Sequence, residues 1–294
     1  MAQKNSLFNI RFDRIFSSET LSFLPVQLFK HQSKSFEWNN NQVQKVNLLN
    51  IEINNVLTTE VLENLKYGTV FTPNVDHIMK LQNDREFLEA YKTADYKLCD
   101  SQILIYASRF LGQPIQEKIS GSDFFPAFYN FHKQNETIKI FLLGAAQGVA
   151  IKAQEKINAK VHRNIIVSSY SPPFGFEKKE AECRKIVEMI NSSGATVLAV
   201  GLGAPKQEKW IYKYKKQLPN IKIFLAIGAT IDFEAGNIQR APKCISNMGF
   251  EWLYRMVSEP KRLWKRYLIE GLPFFWLILQ QKFQINKITN DRGS

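Results

Sequence analysis

An alternation between two hydrophobic periods, beginning at Val46, constrains this chain more than any other feature. Short runs of Val, Ile, Leu and Phe, too brief to be helices, alternate with longer stretches whose apolar residues recur at helical spacing. A parallel sheet covered on both faces needs this pattern, because each strand is buried on two sides and each crossover carries a helix. The runs predict strands at Val46–Ile53, Thr69–Thr72, Ile138–Leu143, Ile165–Ser168, Thr196–Gly201 and Ile221–Ile227, with a further strand-like segment ending at Asp100. Helices are expected at Thr59–Lys66, Val75–Lys92, Gln102–Leu111, Ser122–Gln134, Gln147–Asn158, Glu177–Asn191 and Lys206–Gln217. The expected fold is therefore α/β, a Rossmann-like and mostly parallel sheet flanked by helices over residues 46–242. Residues 1–45, rich in Asn, Gln, Ser and Lys, sustain neither period and read as a polar, loosely ordered extension. Residues 243–294 change composition and read as a basic, aromatic helical appendage.

Three cysteines, Cys99, Cys183 and Cys244, stand far apart without a Cys-x-x-Cys pair, so neither a disulfide framework nor a zinc site is expected and a reducing cytoplasm fits. No secretory signal pattern occupies the first thirty residues, and no run of about 18 apolar residues predicts a span. A net charge of +12 points to an anionic partner, which charge alone leaves as nucleic acid, phosphorylated substrate or acidic lipid. The segment Lys261 to Arg266 followed by Phe274-Phe275-Trp276 reads as an interfacial helix with a basic flank, suited to an anionic membrane surface. The alternative is that these aromatics pack on the core or at a subunit contact.

In an open α/β sheet, ligands bind beyond the carboxyl ends of the strands, so the residues that follow each apolar run come first. Phe71-Thr72-Pro73-Asn74 places Thr72 and Asn74 where they can hydrogen-bond a sugar or base, although Asn74 can equally be a helix N-cap. Asp100 ends the next strand-like segment and can act as a general base or as another cap. Gly144-Ala-Ala-Gln-Gly148 allows backbone to approach a ligand but lacks the full Gly-x-Gly-x-x-Gly fingerprint. In Gly201-Leu-Gly203-Ala-Pro-Lys206-Gln207 the glycines permit a tight turn, and Lys206 at a helix N-terminus is placed to attract a diphosphate. Asp232 and Glu234 read as strand-end caps, with Asp232 also a candidate for contacting ribose or uracil. The charged run Lys206 to Lys216 reads mostly as a solvated helix face.

Taken together these clusters resemble the WecG/TagA/CpsF family of glycosyltransferases. The resemblance rests on Thr72-Pro-Asn74, Asp100, Ile119-Ser-Gly-Ser-Asp123, Phe141-Leu-Leu-Gly144 and Gly201-Leu-Gly-Ala-Pro-Lys-Gln-Glu208. It continues in Ile227-Gly-Ala-Thr-Ile-Asp-Phe233, Ala235-Gly236, Arg240-Ala-Pro242, Glu251-Trp-Leu-Tyr-Arg255 and Glu259-Pro260, spanning about residues 46 to 268. It implies an inverting, metal-independent enzyme of surface polysaccharide biosynthesis. Such an enzyme moves a hexose from a UDP-sugar to an undecaprenyl-diphosphate-linked N-acetylglucosamine or similar acceptor, from a peripheral position on the cytoplasmic face of the plasma membrane. It further implies Asp100 as base, Thr72, Asn74 and Gln207 lining the site, and Arg255 and Arg262 in an appendage that covers it. Three positions depart from the family pattern. Ser101 replaces a glycine after Asp100, Lys118 replaces an arginine and keeps charge without bidentate geometry, and Lys265 replaces a third appendage arginine, for which Arg266 can substitute.

The residues are consistent with that chemistry. No Asp-x-Asp pair is present and the four histidines are dispersed, so Lys206, Lys118 and the appendage arginines are expected to stabilise the leaving diphosphate, with no metal and no cofactor. N-acetylmannosamine is the first donor expected from the family reaction; glucose and N-acetylmannosaminuronate on UDP stay open, as does homo-oligomer formation. A nucleic-acid-binding module fits worse, because the basic and aromatic cluster sits in one C-terminal segment suited to lipid. A nicotinamide-dependent oxidoreductase is disfavoured by the incomplete glycine fingerprint.

Overall fold

The structure is a computed structural model, and it describes the chain at residues 43–238 and 272–291. Most of the polar extension, and the appendage up to residue 271 with Arg255, Arg262 and Arg266, lie outside the described residues.

Strand β1 (Lys45–Leu48) and β2 (Ile51–Asn54) form an antiparallel hairpin, followed by α1 (Thr58–Asn64). The main sheet then begins with β3 (Gly68–Phe71), α2 (Val75–Leu81), α3 (Arg85–Lys92) and β4 (Tyr96–Lys97). After α4 (Gln102–Phe110) and α5 (Gly121–Phe131) come β5 (Ile140–Gly144), α6 (Val149–Val161), β6 (Ile166–Tyr170) and α7 (Glu180–Ser192). The sheet is completed by β7 (Val197–Gly201), α8 (Lys206–Tyr214) and β8 (Ile223–Ala226), and a short α9 (Thr230–Ala235) follows. Helix α10 (Leu272–Asp291) is the described part of the appendage. The six strands are all parallel, in the order β4-β3-β8-β7-β5-β6.

Alternation within the strands explains why both faces are apolar. Phe141, Leu143, Leu198, Val200, Phe224 and Ala226 point into one hydrophobic layer, shared with α2, α3, α4, α7, α8 and α10. Their neighbours Ile140, Leu142, Val197, Ala199, Ile223 and Leu225 point into the other, shared with α1, α5, α6 and α9. Side chains on successive strand residues face opposite ways, so an unbroken apolar run is the signature of a strand between two helical layers.

Three expected elements differ in the structure. The strand expected over Val46–Ile53 turns back on itself at Leu49-Asn50, with Leu49 at φ 54°. Asn50 fixes this turn by donating from its amide to Leu81 O at 3.0 Å and accepting from Gln82 at 2.9 Å. The helix expected over Val75–Lys92 breaks, because Asp84 accepts from the Phe87 amide at 3.0 Å and starts a second helix. Asp232 and Glu234, read as strand-end caps, lie instead in a helix over Thr230–Ala235 that follows the strand.

A two-stranded hairpin is marginal alone. Here Val46, Leu48, Ile51 and Ile53 are buried in the first layer, and α10 closes the open end. Gln281 accepts from the Leu49 amide and donates to Asn47 O, each at 3.0 Å. The Gln281→Leu substitution removes both bonds. It is expected to destabilise the protein by about 1–2 kcal/mol and to lower hydrogen-exchange protection selectively over residues 45–54, read by mass spectrometry. Uniform loss of protection across the sheet is the outcome that contradicts this local role.

Candidate active site

Backbone packing shapes the carboxyl edge of the sheet. Gly144 has φ 134°, and a Cβ there would lie 2.3 Å from the Gly201 carbonyl oxygen. A Cβ on Gly201 would lie 2.7 Å from the Gly228 carbonyl oxygen. The ends of β5, β7 and β8 therefore stack backbone on backbone, with no room for side chains. Gly203, at φ 76°, turns the chain from β7 towards α8, and its carbonyl accepts the Gln207 amide at 3.1 Å.

Over the ends of β5, β6 and β7 lies a cleft of about 770 Å³. Its floor is Ala145, Ala146, Gly148 and Gly201, and its wall is the loop Ser171 to Glu177. The Ser171 hydroxyl ties this loop to the sheet by donating to Gly144 O at 3.0 Å. Lys206 enters the cleft from the start of α8, but its ammonium is engaged, 3.0 Å from Glu177 Oε1 and 4.7 Å from the Phe174 ring centroid. Of the residues expected at the site, Gly201 and Lys206 line this cleft, and Gly144 supports it from beneath.

A second group gathers at the ends of β3 and β4. The buried Thr72 hydroxyl lies 3.5 Å from where a Gly121 Cβ would be, and Ile227 at the end of β8 is equally close. Asn74 caps α2, accepting the His77 amide at 3.2 Å, so the capping reading holds for its oxygen. Asp100 follows β4, half-buried, with its amide donating to Pro73 O at 2.9 Å. Ile119 N–H donates to Cys99 O at 2.7 Å, which brings Lys118 into the same region. Burial pushes the Cys99 thiol up to about 12, and the charges of Asp100 and Lys118 both act on it, in opposite directions. The segment after Lys118 is held by Ser120, whose hydroxyl donates to the Asp123 carboxylate at 2.6 Å and accepts the Asp123 amide at 3.1 Å. His77 is internal, bonded to the Tyr91 hydroxyl at 2.7 Å.

The two groups occupy one edge. At about 4.8 Å between neighbouring strands, β4 and β7 are about 14 Å apart. Strand β8 links them. Gly228 N–H donates to Gln207 Oε1 at 3.1 Å, and Gln207 Nε2 donates to Glu208 Oε1 at 2.8 Å. Gln207 is thus buried and holds the turn that leads into Asp232, which is half-buried in the first turn of α9.

Two features were not apparent in the sequence. The Ser171–Glu177 loop fell between the strand expected to end at Ser168 and the helix expected from Glu177, although Pro-Pro-Phe-Gly after a strand was a signal for it. Glu208, read as part of a solvated face, is fully buried, as are Gln207 and Trp210 beside it. Its Oε2 has no hydrogen-bond partner among the described residues. Burial pushes its carboxyl up to about 7, against the pull of the Gln207 amide and its own backbone amide.

Residues 46–288 match the model of the glycosyl transferase WecG/TagA/CpsF family. The match takes in both groups of residues at the sheet edge and runs into α10.

The raised Glu208 pKa makes stability depend on pH in a defined sense. Unfolded, this carboxyl ionises near 4.5; folded, it holds its proton to about 7. Its contribution is complete below the unfolded value and is lost as the pH rises through the folded one. Glu208→Gln keeps the acceptor for Gln207 and cannot ionise. The variant should therefore match the wild type near pH 4.5 and exceed it at pH 8.5 by about 1–3 kcal/mol in urea unfolding. A difference that does not change with pH would show that the carboxyl does not titrate in this window.

Proposed function

The chain belongs to the glycosyl transferase WecG/TagA/CpsF family, and on that premise we propose that it is an inverting, metal-independent hexosyltransferase. It takes its sugar from a UDP donor, N-acetylmannosamine first among the candidates, and its acceptor is an undecaprenyl-diphosphate-linked N-acetylglucosamine or similar lipid. The observation that carries this reading is the single sheet edge shared by a glycine-floored cleft and by Asp100, separated by about three strand spacings. A nucleoside diphosphate sugar lying along that edge, with its base over the cleft, directs the anomeric carbon of its hexose towards the carboxylate.

The chemistry follows from those positions. Asp100 takes the proton of the acceptor hydroxyl as its oxygen attacks the anomeric carbon from the face opposite the diphosphate. The bond from that carbon to the diphosphate oxygen breaks, and UDP leaves with the electron pair. Negative charge growing on the diphosphate is met by Lys206 and by backbone amides of the glycine turns, with Lys118 beside Asp100. Thr72 and Asn74 stand where they can orient the sugar hydroxyls; the Asn74 amide nitrogen has no hydrogen bond among the described residues. Gln207 and Asp232 act from the β8 side, Gln207 by fixing the Gly228 turn.

Helix α10 supports a peripheral place on an anionic membrane. Phe274 and Ile278 are buried against the domain, while Leu272, Phe275, Trp276, Leu279 and Phe283 form an exposed stripe on the other side. Among the described residues, no helix is long and apolar enough to cross a membrane. A stripe of large apolar side chains on a docked helix suits the interfacial region of a bilayer.

Two measurements test the reading. Asp100→Asn should reduce turnover by about 100-fold or more while UDP affinity changes little, since a general base contributes of that order; full turnover in this variant removes Asp100 from the role. Replacing Phe275 and Trp276 together by Ser should reduce flotation with phosphatidylglycerol vesicles and slow transfer to a long-chain lipid acceptor. Transfer to a short-chain, water-soluble acceptor should persist. Equal loss on both acceptors would speak against a membrane role for the stripe.

A further inference from the structure

Phe174 is 95% exposed, the most exposed large apolar side chain among the described residues, and it stands on the wall of the cleft. Its loop is held on both sides. Pro172 and Pro173 fix the backbone before it, and Gly175, at φ 77°, turns the chain after it. The Phe176 amide donates to Pro173 O at 3.2 Å, and the Phe176 ring is buried, anchoring the loop beneath the exposed ring. Such bracing keeps an aromatic face in water beside a floor of alanine and glycine; of the other aromatic rings that line the cleft, Phe176 is buried and Tyr170 is partly buried, with its hydroxyl bonded to Glu182.

One face of the ring already attracts a cation. The Lys206 ammonium lies 4.7 Å from its centroid and is held there by Glu177 at 3.0 Å. An aromatic ring and a lysine beside a backbone-lined cleft address two different parts of a nucleotide. The ring suits the flat base, and the ammonium suits the diphosphate.

Resting on the donor-site reading above, we infer that Phe174 is the platform on which the nucleobase of the donor stacks, with Lys206 passing from the ring and Glu177 to the diphosphate as the base arrives. No covalent bond is made or broken in this exchange; the Lys206–Glu177 ion pair gives way to one between Lys206 and the diphosphate. The Glu177 carboxylate, whose second oxygen has no hydrogen-bond partner among the described residues, holds the ammonium in place until an anion competes for it.

The experiment is a calorimetric titration of UDP and of inorganic pyrophosphate into the full-length wild type, Phe174→Ala and Phe174→Tyr. The exposed ring makes no packing contact whose loss should unfold the chain, and equal thermal unfolding of the three proteins verifies this. Phe174→Ala is expected to weaken UDP by about 5- to 100-fold, with pyrophosphate affinity unchanged and Phe174→Tyr close to the wild type. Equal UDP affinity in wild type and Phe174→Ala overturns the inference while leaving the donor-site reading intact. Parallel loss of UDP and pyrophosphate also overturns it, because the ring would then act only through Lys206. A wild type that binds no UDP overturns the donor-site reading itself, and this inference with it.

Discussion

The contact on which the rest depends is the stacking of strand ends at Gly144, Gly201 and Gly228. A methyl group at Gly144 would meet the Gly201 carbonyl oxygen at 2.3 Å, and one at Gly201 would meet the Gly228 carbonyl oxygen at 2.7 Å. These distances leave only glycine at the first two positions, so the strand ends beneath the cleft are bare backbone. A sheet edge without side chains lets a ligand approach the main chain closely. The walls and the charges are then added from flanking loops: Lys206 from the start of α8, the Ser171–Glu177 loop after β6, and the Ser120–Asp123 turn that begins α5.

Two of the cations on α8 are engaged before any ligand arrives. The formal excess is +12, yet Lys206 is paired with Glu177 and Lys209 with both Asp84 and Glu86. Exposed pairs of this kind contribute little to stability. Their effect is to hold the two ammonium groups in fixed places on the surface. Glu208 is the opposite case, a carboxyl in apolar surroundings that stays neutral to about pH 7 and so lays no fixed negative charge beneath the Gly228 turn.

Much of this architecture was legible in the sequence, for a physical reason. Strands β5, β7 and β8 are buried on both faces, so they read as unbroken apolar runs such as Ile140–Leu143, and the glycine turns after them mark the carboxyl edge of the sheet. Legibility failed where one polar side chain decides the path. Asn50 folds β1 onto β2 without a glycine, and Asp84 separates α2 from α3 by capping in the middle of a continuous amphipathic pattern. Glu208 was misread because a charged residue in a run of lysines has the pattern of a surface, and only the packing of α8 against α3 and β8 buries it. The placement of Thr72, Asn74, Asp100 and Lys118 at one end of the edge, and of Gly201 and Lys206 at the other, came from strand order, which no local pattern encodes.

The bond between Gln281 and the hairpin joins residues 232 positions apart. During synthesis the β1–β2 turn leaves the ribosome long before its partner exists, and Val46, Leu48, Ile51 and Ile53 must wait for helices made later to cover them. The sheet can assemble in the meantime from strands that neighbour one another within the finished domain. Closure of the first layer therefore waits until α10 has been made, so a ribosome stalled before α10 would carry a nascent chain with this apolar surface still open.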